Sequence, residues 1–325
     1  MLAGFGQMDQ PVGDRLTLTA GLRLEHERRR LDDFTTTTQP LIGIGVGAGA
    51  SRLATTQASG KLAATYRIAL GTLVYASASR GVKSGGFTAY NTLTPDQLAP
   101  FRPEVLYAYE IGTKNRFAGG HVRLNAAAFY YDYRRQQVQS AIYDPVYGAV
   151  GKIVNAPRSH IYGLEAELEW APVAGLTLAQ GASWRRGKFD RFTDLDIAAS
   201  TVAGAARSID RAGQDEGFPR WSYTGSASWR IDLGSRFALT TEADYAYRSA
   251  LDPVLLGPRY RVAGYWLANG SVALAPRAGR WSVGVYGRNL FGTRYDLTRN
   301  FFLGGIDIAA PGRPASFGVR GRYAF

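Results

Sequence analysis

The last eleven residues, from Ala315 to Phe325, alternate between apolar and polar side chains. Successive side chains of a β-strand point to opposite faces of its sheet, so this segment predicts a strand with one apolar and one polar face. A membrane barrel needs such strands, because lipid lies on one side of each strand and a wet lumen on the other. The edge strand of a soluble sandwich alternates in the same way, and this segment alone leaves both folds open. The apolar face carries Phe317, Val319, Gly321, Tyr323 and Phe325, and the polar face carries Ser316, Gly318, Arg320 and Arg322.

Extended segments with strand-like composition recur along the whole chain, and several of them alternate as cleanly as the last one. Each is about 9 to 16 residues long, which is enough to cross a bilayer when the strand is tilted. The thirteen predicted strands cover residues 1–9, 15–28, 52–66, 70–80, 103–117, 121–136, 159–170, 175–187, 218–231, 236–248, 262–274, 280–290 and 314–325.

The connections between these strands alternate strictly between short and long. The short ones are rich in the Gly, Pro and Asp that tight turns require. Outer-membrane barrels place short turns in the periplasm and long loops outside, whereas a soluble sandwich has no reason to sort its loops by parity. The pattern therefore predicts an all-β fold, an antiparallel transmembrane β-barrel segment. The predicted long connections are 29–51, 81–102, 137–158, 188–217, 249–261 and 291–313.

Composition excludes several classes of function. The 325 residues include no Cys, which excludes disulfides, thiolate metal sites and a Cys nucleophile. The formal net charge is +12, but the longest basic run is Arg28–Arg30, so the basic cluster of a nucleic-acid binder is missing. We interpret the scattered cations as lumen-facing side chains, turn residues and loop residues that meet phosphorylated lipid or an anionic ligand.

Residues that bear catalytic chemistry are sparse and separated. His26, His121 and His160 lie far apart in the strand plan, without metal-ligand spacing or a hydroxyl partner. Glu165, Glu167 and Glu169 share one strand face and are interpreted as solvated lumen carboxylates. No catalytic, metal or cofactor residue is predicted, and an outer-membrane enzyme is the less favoured alternative because it needs a nucleophile and a base on adjacent strands.

The segment Tyr75–Phe87, "YASASRGVKSGGF", resembles the barrel domain of TonB-dependent outer-membrane receptors. Five further pieces resemble the same family in the same order, so the resemblance covers essentially the whole chain, residues 1–325. The motif positions in the first segment are Arg80, Gly81, Lys83, Ser84, Gly85, Gly86 and Phe87. The other pieces are Arg102–Phe117, Asn125–Gln139, Asn155–Leu178, Gly287–Asp296 and Pro311–Phe325.

The motif glycines also have a physical interpretation. Gly81, Gly85 and Gly86 are expected to adopt positive φ angles or to allow close backbone approach where a strand turns into its loop. A phosphate-binding loop is not predicted, because the spaced glycine before Lys83 and a following helix are both missing.

The resemblance implies a receptor in the outer membrane of a Gram-negative bacterium. Such receptors bind a scarce ligand at their outer loops, often a ferric siderophore and sometimes cobalamin, haem or a saccharide, and pass it inward when TonB pulls on a plug domain. The implied partners are outer-membrane lipid, lipopolysaccharide, the barrel assembly machinery and, through the plug, the TonB complex. Tyr323 and Phe325 are the implied insertion signal. Possible ligand contacts in the loops are Tyr90, Phe101, Tyr143, Tyr147, Arg207, Arg211, Tyr295, Arg299 and Phe301.

The family pattern is incomplete in this sequence. Receptors of this kind resemble 22-stranded barrels with a plugged lumen, whereas about thirteen strands are predicted here, with neither plug, TonB box nor signal peptide. We therefore expect the C-terminal portion of a receptor barrel, not competent alone. A passive plugless porin and a soluble adhesin or lectin-like sandwich are the remaining alternatives.

Overall fold

A computed structural model describes residues 1–37, 45–88, 92–254, 257–302 and 306–325. They form one large antiparallel sheet of thirteen strands and two small hairpins. The strands of the large sheet are β1 Leu2–Val12, β2 Leu16–Thr37, β3 Gly45–Ala69, β4 Thr72–Lys83, β5 Glu104–Phe117, β6 Val122–Asp144, β7 Gly148–Trp170, β8 Leu176–Arg191, β11 Trp221–Leu233, β12 Phe237–Arg248, β13 Tyr265–Pro276, β14 Trp281–Arg288 and β17 Ser316–Tyr323. The hairpins are β9 Thr193–Leu195 with β10 Ser208–Asp210, and β15 Asp296–Phe302 with β16 Ile306–Pro311.

Each strand of the large sheet pairs with its neighbour in the chain, except where a small hairpin intervenes. β8 therefore pairs with β11, and β14 pairs with β17. The thirteen predicted strands and their antiparallel order are confirmed. Within the described residues, β1 and β17 each pair with one neighbour only, so the sheet has two open edges.

The pairing register gives the sheet an apolar face. One row of directly opposed residues runs through Ala76, Ile111, Ala128, Leu164 and Trp184 across five strands. These side chains are not packed into a core, since Leu164 is 56% exposed and Ile111 is 62% exposed. We call this side of the sheet the apolar face; such extensive apolar exposure marks a surface that another apolar medium or partner covers.

The opposite side, which we call the polar face, carries hydrogen-bonded polar groups. The hydroxyl of Tyr75 donates to Glu110 over 2.6 Å between neighbouring strands. Arg123 forms an ion pair with Glu169 at 3.4 Å. The predicted carboxylate row of Glu165, Glu167 and Glu169 lies on this face and is exposed.

Glycines on the polar face make room for aromatic rings of the neighbouring strand. A Cβ atom on Gly112 would lie 2.6 Å from the ring of Tyr75, and one on Gly163 would lie 2.7 Å from the ring of Phe129. A strand glycine commonly marks such a close approach. Gly112 and Gly163, which lie in the pieces Arg102–Phe117 and Asn155–Leu178, therefore fix which residues face each other across β4–β5 and β6–β7.

Two predicted long connections are largely strand. β2 and β3 extend into 29–51, and β6 and β7 extend through 137–158 until only three residues join them. The outer part of the β6–β7 hairpin is covered by other loops, since Ala141, Val150 and Ala156 are buried. Packing by distant loops stabilises these strand extensions, and local alternation contains no signal of it.

The helix α1, Ile197–Ala203, lies in the connection between β9 and β10. Asp196 caps it by accepting a hydrogen bond from the amide of Ala199 at 2.9 Å, and Gly204 ends it with φ 59°. In the part of the chain that the structure describes, no helix is long and apolar enough to cross a membrane.

We predict that Gly163→Ala destabilises the sheet by about 1–3 kcal/mol, because the added methyl meets the Phe129 ring and the carbonyl oxygen of Trp184. Gly321→Ala in β17 is the matched control, since a Cβ there meets nothing within 4 Å. The measurement is the urea concentration at which half of the membrane-inserted protein is unfolded. The folded fraction is monitored by heat-modifiable mobility on a gel. Equal midpoints for the two variants would contradict this explanation of the motif glycine.

Candidate functional site

The long connections gather at one end of the large sheet, which we call the loop end. They are residues 84–103, 192–220, 249–264 and 289–315, together with the tips of the extended hairpins. The opposite end has only short turns and is called the turn end. Side chains on the polar face at the loop end, and the loops above them, are the candidate site.

The motif glycines serve close packing. Gly85 and Gly86 have ordinary φ angles, but a Cβ on Gly85 would meet the backbone of Phe101 and Arg102, and one on Gly86 would lie 2.9 Å from the Phe101 ring. Gly86 and Phe101 also exchange backbone hydrogen bonds of 3.1 and 2.9 Å. Close approach is thus the correct alternative for these two residues, whereas Gly81 has neither a positive φ nor a neighbour within 4 Å.

The rest of this loop is fastened to the β6–β7 hairpin. The side-chain amide of Gln137 donates to the backbone carbonyl of Ser84 at 2.8 Å. Asn155 accepts from the amide of Arg102 at 2.8 Å and donates to its carbonyl at 2.9 Å. Lys83 ends β4 opposite Glu104, and Arg80 lies opposite Tyr107 on the apolar face. The motif from Arg80 to Phe87 therefore organises a loop.

A buried ion pair anchors the connection between β8 and β11. The guanidinium of Arg211 donates to Asp194 at 2.6 Å and to the carbonyl of Val254 at 2.8 Å, and Arg211 is only 5% exposed. Ser140 of β6 donates to the same Asp194. Next to this pair, Phe189 and Phe192 pack on Ala156 in a buried apolar cluster. Arg211, predicted as a ligand contact, is placed here as a loop anchor.

An arginine that the sequence analysis did not select faces the candidate site. Arg248 ends β12 on the polar face, and its guanidinium lies 4.7 Å from the centroid of the Tyr265 ring. Tyr295, a predicted contact, lies 4.3 Å from Tyr265. Nε and Nη2 of Arg248 are buried and have no hydrogen-bond partner among the described residues. A cation that stacks on one ring of a tyrosine pair, with donors to spare, can bind a flat anionic ligand.

The position of Arg248 on the polar face could have been predicted from the alternation of side chains along β12. The alternation of β12 places residue 248 on the same face as Glu242 and Asp244 and at the loop end. The ring contacts, however, depend on Tyr265 of the next strand and on Tyr295 of a distant loop. Only the three-dimensional structure brings the three side chains together.

The remaining predicted contacts are dispersed over the loop end. Tyr143 lies in β6 just before the β6–β7 turn, and Tyr147 is the last residue of that turn. Arg207 is exposed after α1, and Arg299 pairs with Asp296 at 2.9 Å. The Phe101 ring packs on Gly86 as described. Tyr90 and the side chain of Phe301 lie outside the described residues. No group of three or more metal-ligating side chains occurs in the described ranges.

Glu216, in the segment that leads into β11, is a buried carboxyl near the polar face. Burial raises the pKa of Glu216, and the side-chain amide of Gln136, which donates to its carboxyl at 3.0 Å, partly offsets that rise. The hydroxyl of Ser159 donates to the side-chain oxygen of Gln136 at 2.7 Å. The second carboxyl oxygen of Glu216 has no partner in the described structure. Burial therefore disfavours the charged form of this carboxyl relative to an exposed carboxyl.

A family model described as "TonB dependent receptor-like, beta-barrel" matches residues 2–290. The solved structure of the ferric yersiniabactin uptake receptor FyuA from Yersinia pestis is similar, with a TM-score of 0.78 at 21% identity over 99% of this chain and 45% of FyuA. The siderophore receptor PiuA from Acinetobacter baumannii has a TM-score of 0.70 at 15% identity over 94% of this chain and 40% of PiuA. The copper transporter OprC has a TM-score of 0.66 at 15% identity over 99% of this chain and 47% of OprC. The chain thus spans less than half of each protein, and at these identities the likeness is one of fold.

We predict that Arg211→Leu unfolds the 192–213 segment locally, because Asp194 is left buried without its cation at a cost of about 3–5 kcal/mol. Amide hydrogen exchange across this segment measures the effect and should become faster by orders of magnitude. Arg207→Leu is the control, since its side chain is exposed. Unchanged protection in Arg211→Leu would show that the ion pair does not hold the loop.

A second prediction concerns pH. The folded pKa of Glu216 is raised above its ordinary value of 4.5, so its contribution to stability is complete at lower pH and is lost as pH rises through the folded pKa. Protection of residues 214–220, corrected for the intrinsic pH dependence of exchange, should therefore fall as pH rises from about 4 to 8. Glu216→Gln should abolish this dependence. A pH dependence that persists in Glu216→Gln would assign it to another group.

Proposed function

Because the chain belongs to the TonB-dependent receptor-like β-barrel family, we propose that it forms the barrel of an outer-membrane receptor for a scarce ligand, a ferric siderophore or a similar metal chelate. In this proposal the ligand binds at the loop end and moves inward along the polar face when TonB acts on a plug domain. The similar proteins are uptake receptors and a transporter, which supports a transport role rather than an enzymatic one.

The observation that carries the ligand class is the Arg248 cluster. Arg248 presents buried, unpartnered donors beside the Tyr265 ring, which packs on Tyr295, on the polar face and at the end where the loops gather. Catecholate and hydroxycarboxylate chelates of ferric iron are anionic, and catecholates are also aromatic, so they match a cation that is stacked on a tyrosine. The names of the similar proteins, two siderophore receptors and a copper transporter, support metal uptake as the class.

The apolar face supports a membrane location. Its side chains are exposed and alternate with polar ones along each strand, as in strands that separate lipid from a wet interior. We propose that this face contacts lipid and lipopolysaccharide in the outer membrane of a Gram-negative bacterium. Tyr323 and Phe325, which are exposed and contact each other edge-to-face at 5.3 Å, would then present the insertion signal to the barrel assembly machinery.

The open edges of the sheet bear on whether the thirteen strands can transport a ligand by themselves. β1 and β17 each carry a row of backbone groups without a partner in the described sheet. In hydrocarbon each such group costs several kcal/mol, so a stable spanning structure has none. We propose that both edges pair with further strands in the functional receptor and that the thirteen strands alone do not transport.

We predict that Arg248→Gln weakens binding of an anionic ferric chelate about tenfold or more, because a charge-assisted contact is lost. Ferric tris-catecholate and hydroxycarboxylate chelates, both anionic, are the probes, and quenching of tryptophan fluorescence reports binding. Arg236→Gln, at the turn end before β12, is the matched control and should bind normally. If no chelate binds and the protein conducts ions steadily, the passive porin is the correct function.

A further inference from the structure

The apolar face changes character towards the loop end on three neighbouring strands, β6, β7 and β8. Successive rows of opposed residues pass from apolar, to mostly tyrosine, to charged. The rows are Ala128, Leu164 and Trp184; then Tyr130, Tyr162 and Arg186; then Asp132, His160 and Lys188. Beyond them, Arg134 lies opposite Arg158 on the same face. This order matches one leaflet of a bilayer, in which the acyl chains are followed by the interface and then by the headgroups.

The ion pairs within this surface turn its cations outward. Asp132 lies 2.7 Å from Arg134 and 3.3 Å from Arg158, and Asp190 lies 3.4 Å from Arg158. The side chains of both arginines are 39% exposed, whereas those of Asp132 and Asp190 are 13% and 30% exposed. The carboxylates therefore support the guanidinium groups from beneath and leave donor groups facing the surroundings.

Two cations of the surface have no acidic partner in the described chain. Lys188 and Arg186 of β8 form no ion pair there, and Nε of Arg186 has no hydrogen-bond partner. His160 is engaged by Asp190 at 2.7 Å. The adjacent Arg220 pairs with Asp215, which lies opposite Lys188. Five cations thus face three carboxylates, Asp132, Asp190 and Asp215, and the surface is net positive.

The other half of the sheet provides an internal comparison. The apolar-face positions of β11, β12, β13 and β14 carry no charged side chain, and near the loop end they carry aromatic rings such as Trp221, Tyr247 and Trp266. A general need for solvation at the end of a strand would place charges on these strands too. Cations on the apolar face therefore occur in two groups and are absent from β11–β14. One group lies on β6–β8, and the other lies on β2–β4, where Arg28, Arg30, Arg52 and Arg80 occupy apolar-face positions. Only the β6–β8 group follows a tyrosine row.

We infer that Arg134, Arg158, Arg186 and Lys188 form a docking surface for the phosphate groups of an outer-leaflet lipid. The inference rests on the proposed function, since it requires the apolar face to lie in the membrane. Acyl chains of the lipid contact Leu164 and its neighbours, the tyrosine row lies at the interface, and the phosphates accept hydrogen bonds from the guanidinium and ammonium groups. The surface lies on the opposite face of the sheet from the Arg248 cluster, so it does not serve the transported ligand.

The test measures lipid binding by native mass spectrometry on the protein extracted from outer membranes in a neutral detergent. Diphosphorylated lipid A and its dephosphorylated form are the probes. The variant Arg186→Gln/Lys188→Gln removes two cations without breaking an ion pair, so the fold is retained. Its affinity for diphosphorylated lipid A should fall about tenfold or more. Arg116→Gln/Arg236→Gln removes the same charge at the exposed turn end and should bind within about twofold of the unmodified protein.

Three results would overturn the docking surface. They are unchanged affinity in Arg186→Gln/Lys188→Gln, equal binding of the dephosphorylated lipid, and displacement of the lipid by inorganic phosphate at equal concentration. The last result would show that the cations bind free phosphate. Normal binding of ferric chelates alongside any of these outcomes would overturn the docking surface and leave the receptor function standing. Loss of chelate binding with intact lipid binding would overturn the receptor function and leave the docking surface standing.

Discussion

The register of backbone hydrogen bonds between antiparallel strands is the constraint on which the whole structure depends. Because side chains alternate with a period of two, a slip of one residue would move every apolar side chain of a strand to the polar face. The glycines opposite aromatic rings, Gly112 against Tyr75 and Gly163 against Phe129, select one register by shape. Once that register is set, the apolar face, the polar face and the position of each loop follow.

The two faces of the sheet then have separate roles. The polar face leads from the loop end, with Arg248 and its tyrosines, along a hydrogen-bonded interior surface. In the proposed receptor the apolar face meets lipid, and its charged rows on β6–β8 lie where the hydrocarbon gives way to headgroups. The described parts of the loops 84–102 and 192–213 are held by side-chain hydrogen bonds and by a buried ion pair, respectively. The loop end therefore has restrained loops. Preorganisation of this kind reduces the entropy lost on binding.

Sequence alone predicted the parts of the structure that follow from local pattern. Alternation and turn residues located all thirteen strands, because both features act within a few residues. The sequence did not predict the extension of β6 and β7, because the outer parts of these strands are buried by loops that are distant in the chain. For the same reason Arg211 was predicted as a ligand contact, although its burial with Asp194 depends on a fold that brings residues 140, 194, 211 and 254 together. Arg248, which is proposed to contact the ligand, was not selected from the sequence because the Tyr265 ring that it stacks on lies on another strand.

The central claim is that the alternation along the strands separates lipid from water. The chain has no native cysteine, so single-cysteine variants can be labelled without background. A scan of β7, β14 and β17 in outer membranes with a membrane-impermeant thiol reagent tests the claim directly. Labelling is predicted at polar-face positions such as 165, 286 and 320 and protection at apolar-face positions such as 164, 285 and 319. Equal labelling of adjacent positions would contradict the account.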